Sequence, residues 1–205
     1  NPMPFFHMSS MLPMAAARAS GALQICTSHF KPGEALAALR DEGVTFAYVS
    51  FPTIVSGILN HPGFANVGIT SVKYLHCVGP ADLLRRYAEA LPGVRFVNAY
   101  GLTEGSGVPV WSDPADPADD PFTHSGRVFD GNEIAAFDPE THERLPPDTR
   151  GELRLRGFCR FSGYLKDAAA TRETLRDDGW LRTGDLGYVS AGGVVTYDGR
   201  LKDML

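Results

Sequence analysis

Three apolar runs rich in β-branched and aromatic residues, at 44–51, 72–78 and 94–97, alternate with stretches of helical periodicity, and this alternation limits the fold more than any other feature. Pro32-Gly33-Glu34 opens a helix whose Ala35, Leu36 and Leu39 share one face, and Glu42-Gly43 ends it before the first run. Helical patterns recur at 52–59 and 81–91, each followed by the next apolar run. Strands that alternate with helices form a parallel sheet with helices on its faces. Before this unit, residues 11–23 read as a helix and 22–26 as a short buried strand.

The texture changes after Trp111. Residues 112–121, SDPADPADDP, hold four Asp and three Pro, which neither a helix nor a central strand accommodates. Beyond them, strand candidates at 126–129, 133–137, 152–156, 186–189 and 194–197 are divided by Asp-Pro, Pro-Pro, Gly-Gly and Asp-Gly turns. One substantial helix is expected at 168–175, and Ser190-Ala191-Gly192-Gly193 should close a hairpin. The expected organisation is an α/β subdomain over 1–111, an acidic Pro-rich linker over 112–125, an antiparallel and barrel-like β subdomain over 126–201, and the start of a hinge at 202–205.

A hydrophobic content of 43% over 205 residues supports a sizeable core. The net charge of −5 and the scattered basic residues argue against a nucleic-acid surface. Cys26, Cys77 and Cys159 lie far apart without a Cys-x-x-Cys pair or paired His ligands nearby, so neither a disulfide framework nor a zinc site is expected. No apolar run approaches the roughly 18 residues of a spanning helix. These features lead us to expect a cytoplasmic protein with no transmembrane segment.

The third apolar run stops at Asn98-Ala99-Tyr100-Gly101-Leu102-Thr103-Glu104. In open α/β sheets ligands bind beyond the carboxyl ends of strands. Here that end offers a ring to stack on a base at Tyr100, close backbone approach at Gly101, a hydroxyl for a phosphate oxygen at Thr103 and an oxygen ligand for a divalent cation at Glu104. Read alone, the stretch reads first as an ordinary strand-to-turn exit with a surface Glu. Asp185, between glycines in Trp180-Leu181-Arg182-Thr183-Gly184-Asp185-Leu186-Gly187, is either a turn cap or an acceptor for a vicinal diol. Arg200, after Gly199, is either a solvated Arg or a fork onto phosphate or ribose oxygens. Residues 151–164, GELRLRGFCRFSGY, read as a strand with turns.

In this order the segments PFFH, VTFAYVSFPT, NAYGLTE, GELRLRG with SGYL, WLRTGDLG and DGRLKD resemble the adenylate-forming enzymes, which include acyl-CoA synthetases, firefly luciferase and peptide-synthetase adenylation domains. They cover essentially the whole chain. The resemblance implies that Tyr100 stacks on adenine, that Asn98, Ala99 and Gly79 line its pocket, and that Thr103 binds the α-phosphate. It further implies that Glu104 ligates Mg2+, Asp185 holds the ribose hydroxyls, Tyr197 flanks the adenosine, and Arg200 reaches the ribose side. Lys202 matches the hinge, and His7, Met8 and Ser9 match the acyl-pocket wall. The implied reaction joins a carboxylic acid, most simply a fatty acid, to ATP as an acyl-adenylate and then to coenzyme A.

The chain departs from the family at Cys77-Val78-Gly79-Pro80, where a small-residue run is usual and only Gly79 keeps the pattern; Val78 would narrow or reshape the acyl side. The phosphate-binding Gly-rich loop and the catalytic lysine of the family have no counterpart in the sequence, so the chain is expected to be an internal fragment, inactive alone. A peptide-synthetase-type adenylation domain that loads a carrier protein, and a non-catalytic nucleotide-binding module, are the competing readings. A Rossmann dehydrogenase is disfavoured, because Gly105-Ser106-Gly107 is not followed by Gly or Ala at Val110.

Overall fold

The computed structural model describes residues 1–66, 69–116 and 119–203. They divide into two compact units, one of residues 1–98 and 113–122, the other of residues 99–112 and 123–205.

The first unit is built on a parallel sheet of β1 (Phe46–Ser50), β2 (Tyr74–Cys77) and β3 (Arg95–Val97), in that order. Phe46 pairs with Tyr74 and Leu75 with Phe96. Helices α1 (Met8–Ser20), α2 (Pro32–Asp41), α3 (Pro52–Leu59) and α4 (Ala81–Ala90) accompany it. Pro begins α2 and α3 at the position where its missing N–H costs nothing. Leu36 and Leu39 of α2, Ile54, Val55 and Ile58 of α3, and Leu84 and Tyr87 of α4 join Val49, Leu75 and Phe96 in one core. Burying each such aliphatic side chain is worth about 1.5–3 kcal/mol. Gly43, at φ +60, turns the chain from α2 towards β1.

Two expectations are corrected here. The first helix lies three residues earlier than its apolar run suggests, because His7 caps its start and Gly21, at φ +68, ends it. Residues 22–26 form no strand: Leu23 is 85% exposed, and the run makes no pairing among the described residues.

The second unit is a seven-stranded sheet in the order β4-β5-β6-β10-β9-β8-β7. Its strands are β4 (Ala99–Tyr100), β5 (Val110–Trp111), β6 (Gly126–Val128), β7 (Asn132–Phe137), β8 (Gly151–Gly157), β9 (Leu181–Val189) and β10 (Val194–Arg200), with α5 (Ala168–Thr174) between β8 and β9. All its pairings are antiparallel, and none joins β7 to β4 among the described residues. The expected hairpin joins β9 to β10, where Gly193 N–H donates to Ser190 O at 2.9 Å. Val110, Leu153 and Val195 are fully buried in its core.

The sequence places Tyr100 with the parallel sheet. In the structure β3 ends at Val97, and after Asn98 the residues Ala99 and Tyr100 pair with β5 in the antiparallel sheet. Residues 113–116 and 119–122 pack with the first unit, where Pro121 O accepts from Asn98 Nδ2 at 3.0 Å and Pro114 O from Arg95 Nη1 at 3.1 Å.

Candidate functional site

The second unit gathers Tyr100, Glu104, Asp185, Tyr197 and Arg200. Asp185 projects from β9 opposite Arg200 of β10 and Leu153 of β8, and is buried. Its Oδ2 accepts a 2.7 Å hydrogen bond from the Tyr100 hydroxyl. Its Oδ1 faces Arg200 Nε at 3.1 Å as an ion pair without hydrogen-bond alignment. Burial raises the Asp185 pKa, Tyr100 and Arg200 pull it back down, and the negative charges of Glu104 and Glu152 add to the rise. Burial, and then the charge of Asp185, lift the Tyr100 hydroxyl well above its ordinary value, so Tyr100 keeps its proton and donates it. The Tyr100 ring stacks on Tyr197 at 5.5 Å and 24°, and Tyr197 is the more exposed of the two at 40%.

The loop after Tyr100 is set by close backbone packing. A Cβ on Gly101 would stand 1.8 Å from Gly107 O, so only Gly fits there. Thr103–Gly105 form a 3-10 turn capped by Ser106 in the left-handed region, and Ser106 Oγ donates to Cys159 O at 2.6 Å. Glu104 is held at its carbonyl by Phe161 N–H (2.8 Å) and at Oε1 by the Tyr164 hydroxyl (2.6 Å). Thr103 is exposed beside it.

A cavity of about 340 Å³ opens here, lined by Leu102, Glu104, Glu152, Tyr164, Glu173, Thr174, Arg182, Thr183, Gly184 and Arg200. Sequence reasoning missed Glu152, Tyr164 and Arg182. Glu152 and Arg154 look like the solvent face of an alternating strand, yet residues 151–155 are buried on both faces. Two opposite charges on one supposedly wet face of a central strand were the available signal.

Glu104 is an oxygen donor that suits Mg2+, and no group of three or more Asp, Glu, His or Cys side chains that could hold a metal ion exists among the described residues. That donor set fits an ion held by one carboxylate with phosphates and water, not a cage of protein ligands.

His7, Met8, Ser9, Val78, Gly79 and Asn98 lie in the first unit. His7 caps α1, its Nδ1 accepting from Ser9 N–H at 3.1 Å and meeting Ser9 Oγ at 2.7 Å; Met8 is half-buried and Ser9 buried. Val78, 38% exposed, and Gly79 follow the carboxyl end of β2, and Val78 N–H donates to Ser50 O at 2.9 Å. A Cβ on Gly79 would come within 3.0 Å of Pro52 Cγ. Asn98 follows β3, while Ala99 is buried on β4. Lys202 lies exposed in a terminal 3-10 turn of the second unit.

Comparison with known proteins gives a consistent pattern. The family described as AMP-binding enzyme matches residues 1–165. A rice (Oryza sativa subsp. japonica) protein named 4-coumarate–CoA ligase-like 4 is 32% identical over 206 residues, covering 99% of this chain and 37% of its own length. The mouse (Mus musculus) mitochondrial medium-chain acyl-CoA ligase ACSF2 is 30% identical over 209 residues, covering 100% of this chain and 34% of its own. The Bacillus subtilis O-succinylbenzoate coenzyme A synthetase, solved in complex with AMP, superposes with a TM-score of 0.79 at 22% identity over 98% of this chain and 40% of that one; this likeness speaks to fold alone. The chain thus spans a little over a third of the curated relatives it matches.

Proposed function

Because the chain belongs to the AMP-binding enzyme family, we propose that it carries the adenosine-binding part of an AMP-forming acid–thiol ligase, which activates a carboxylic acid with ATP and passes the acyl group to coenzyme A. The observation that carries this reading is the buried contact of Tyr100 with Asp185, flanked by Arg200 and facing Glu104 across one small unit. A carboxylate with one oxygen on a phenol and the other beside a guanidinium is ready to accept hydrogen bonds from two adjacent hydroxyls.

The chain's own residues divide the work as follows. Asp185 accepts from the ribose, and Arg200, half-exposed, swings from Asp185 to the same sugar. Thr103 donates to an α-phosphate oxygen. Glu104, held by Tyr164, would hold Mg2+, which when bound would neutralise phosphate charge. A substrate carboxylate is ionised at neutral pH and needs no general base, so positioning and charge neutralisation supply the catalysis. The Tyr100 and Tyr197 rings stand too close for a base between them, since a sandwiched ring needs about 7 Å. Tyr197 is therefore the ring that yields, while Tyr100 stays anchored to Asp185.

Val78 and Gly79, beyond β2, and His7 to Ser9, at the start of α1, are our assignment for the acid side, and Lys202 for the hinge. A fatty acid suits an exposed apolar Val78 and the absence of an acidic partner for an amino group among these residues. The test is calorimetry on the chain. AMP should bind at roughly millimolar Kd, the range of about −4 kcal/mol. Asp185→Asn should weaken it about ten- to a hundredfold, and Tyr100→Ala by about 1–3 kcal/mol of stacking. Equal AMP binding in wild type and both variants would remove the site.

A further inference from the structure

Glu152 has no part in the chemistry above, yet the residue is 1% exposed. It accepts from Arg154 Nε at 2.9 Å and pairs with Arg154 Nη2 at 2.8 Å. Arg182 Nε reaches both its oxygens at 3.2 Å, and Gly184 N–H points at Oε1 from 3.4 Å. Arg154, also 1% exposed, lies 4.6 Å from the Phe137 ring centre and reaches His142 Nδ1 at 2.9 Å. A packed apolar pair would generally serve stability as well as such a buried ion pair. Stability alone does not account for the network.

What Glu152 touches is an irregularity in β9. Leu153 pairs with Asp185, but the next residue of β8, Arg154, pairs with Arg182. Thr183 and Gly184 are therefore surplus and arch out of the ladder, Gly184 at φ +67. The Thr183 hydroxyl donates to Leu153 O at 2.5 Å and accepts from Asp185 N–H at 3.0 Å; Thr183 O accepts from Arg200 Nη1 at 3.2 Å. One side of the arch is thus tied to the β8 backbone and the other to Glu152.

We propose that Glu152 is a positioning residue of the nucleotide site: by holding Gly184 N–H and Arg182 it fixes the two-residue arch from which Asp185 is presented. The proposal rests on the adenosine-binding reading of Asp185. It also gives Glu152 an electrostatic handle on that carboxylate. Asp185 is faced by Tyr100 of β4, Tyr197 and Arg200 of β10, Glu104 of the 3-10 turn and Glu152 of β8, and Glu152 pushes its pKa upward.

Two variants separate position from charge. Glu152→Gln keeps the shape and removes the charge; Glu152→Asp keeps the charge and withdraws the oxygens from Gly184. The 205-residue chain would be titrated by carbon-13 NMR at the Asp185 carboxyl, and AMP binding measured by calorimetry. In E152Q, which still offers an oxygen to Gly184 N–H and Arg182, Asp185 should titrate at lower pH than in wild type while AMP affinity falls less than in E152D. In E152D the titration should stay near wild type while affinity falls severalfold and the Gly184 amide resonance moves. If E152Q does not fold, E152D, which leaves Arg154 paired, decides the positional claim. Wild-type AMP affinity and an unmoved Gly184 resonance in folded E152D, or an unchanged Asp185 titration in folded E152Q, would overturn the proposal and leave Glu152 a structural ion pair. If the wild type binds no AMP, the nucleotide reading fails, and the NMR measurements still decide whether Glu152 governs the arch.

Discussion

Tyr100→Phe removes one oxygen and nothing else, so its cost follows from the surroundings of that oxygen. The lost hydrogen bond is 2.7 Å long, buried, and directed at a carboxylate. Bonds to charged acceptors contribute about 1.5–3 kcal/mol. The ring remains, and with it the 5.5 Å stack on Tyr197. The pH dependence fixes the interpretation. Burial already raises the Asp185 pKa and the Tyr100 hydroxyl opposes that rise, so without it the pKa moves further up. The bond stabilises the fold only while Asp185 is ionised. Its contribution is therefore present above the folded pKa and lost as pH falls through it towards the ordinary carboxylate range. The chain's two tryptophans, Trp111 and Trp180, both lie in the second unit, so their fluorescence follows that unit in urea. Tyr100→Phe should lower stability by about 2 kcal/mol at pH 7–8 and by progressively less in acid, while AMP affinity stays closer to wild type than in Tyr100→Ala. A loss under about 0.5 kcal/mol, or one independent of pH, would refute the reasoning.

Other outcomes follow from single residues. Gly101→Ala should cost about 3 kcal/mol, the upper end of overpacking penalties, because its Cβ meets backbone at 1.8 Å; the same urea assay reads it, and an unchanged midpoint would contradict the packing. Burial holds the His76 pKa at about 3, against 6.5 in the unfolded chain, so below pH 6.5 the unfolded state takes up a proton that the fold refuses. Stability of the first unit should fall by about 1.4 kcal/mol per pH unit in this window, and His76→Phe should flatten the slope seen by circular dichroism. Burial pushes the Cys77 thiol up to about 12, so iodoacetamide at pH 8 should modify exposed Cys26 and spare Cys77; mass spectrometry would show the reverse if Cys77 were accessible.

The parallel strands were legible because each is a short apolar run with Gly or Pro at one end or both, and the expected runs at 44–51, 72–78 and 94–97 contain β1, β2 and β3. The antiparallel strands were legible through their turns. The placement of Tyr100 was not: the run at 94–97 and the pair Ala99–Tyr100 are separated only by Asn98, and local pattern does not tell which sheet a two-residue strand joins. That choice is made by Val110 and Trp111, which pair with it across the intervening loop. Asp185 stood out as a candidate because glycines isolate it. Glu152 was hidden because alternation predicts one wet face, and β8, flanked by β7 and β9, has none until Arg156.

The surroundings of Tyr100 also set an order of events in time. Tyr100 and Asp185 are 85 residues apart in sequence, whereas β7, β8, β9 and β10 pair consecutively along the chain. Closing a long loop costs more entropy than closing a short one, and distant pairings are slow to form. On a growing chain the β7-to-β10 meander can zip up as it emerges, while Tyr100, made long before, has no carboxylate to dock on. The β7-to-β10 pairings therefore form before the contact of Tyr100 with Asp185, and the nucleotide binding proposed for this unit is the last property it would acquire as it folds.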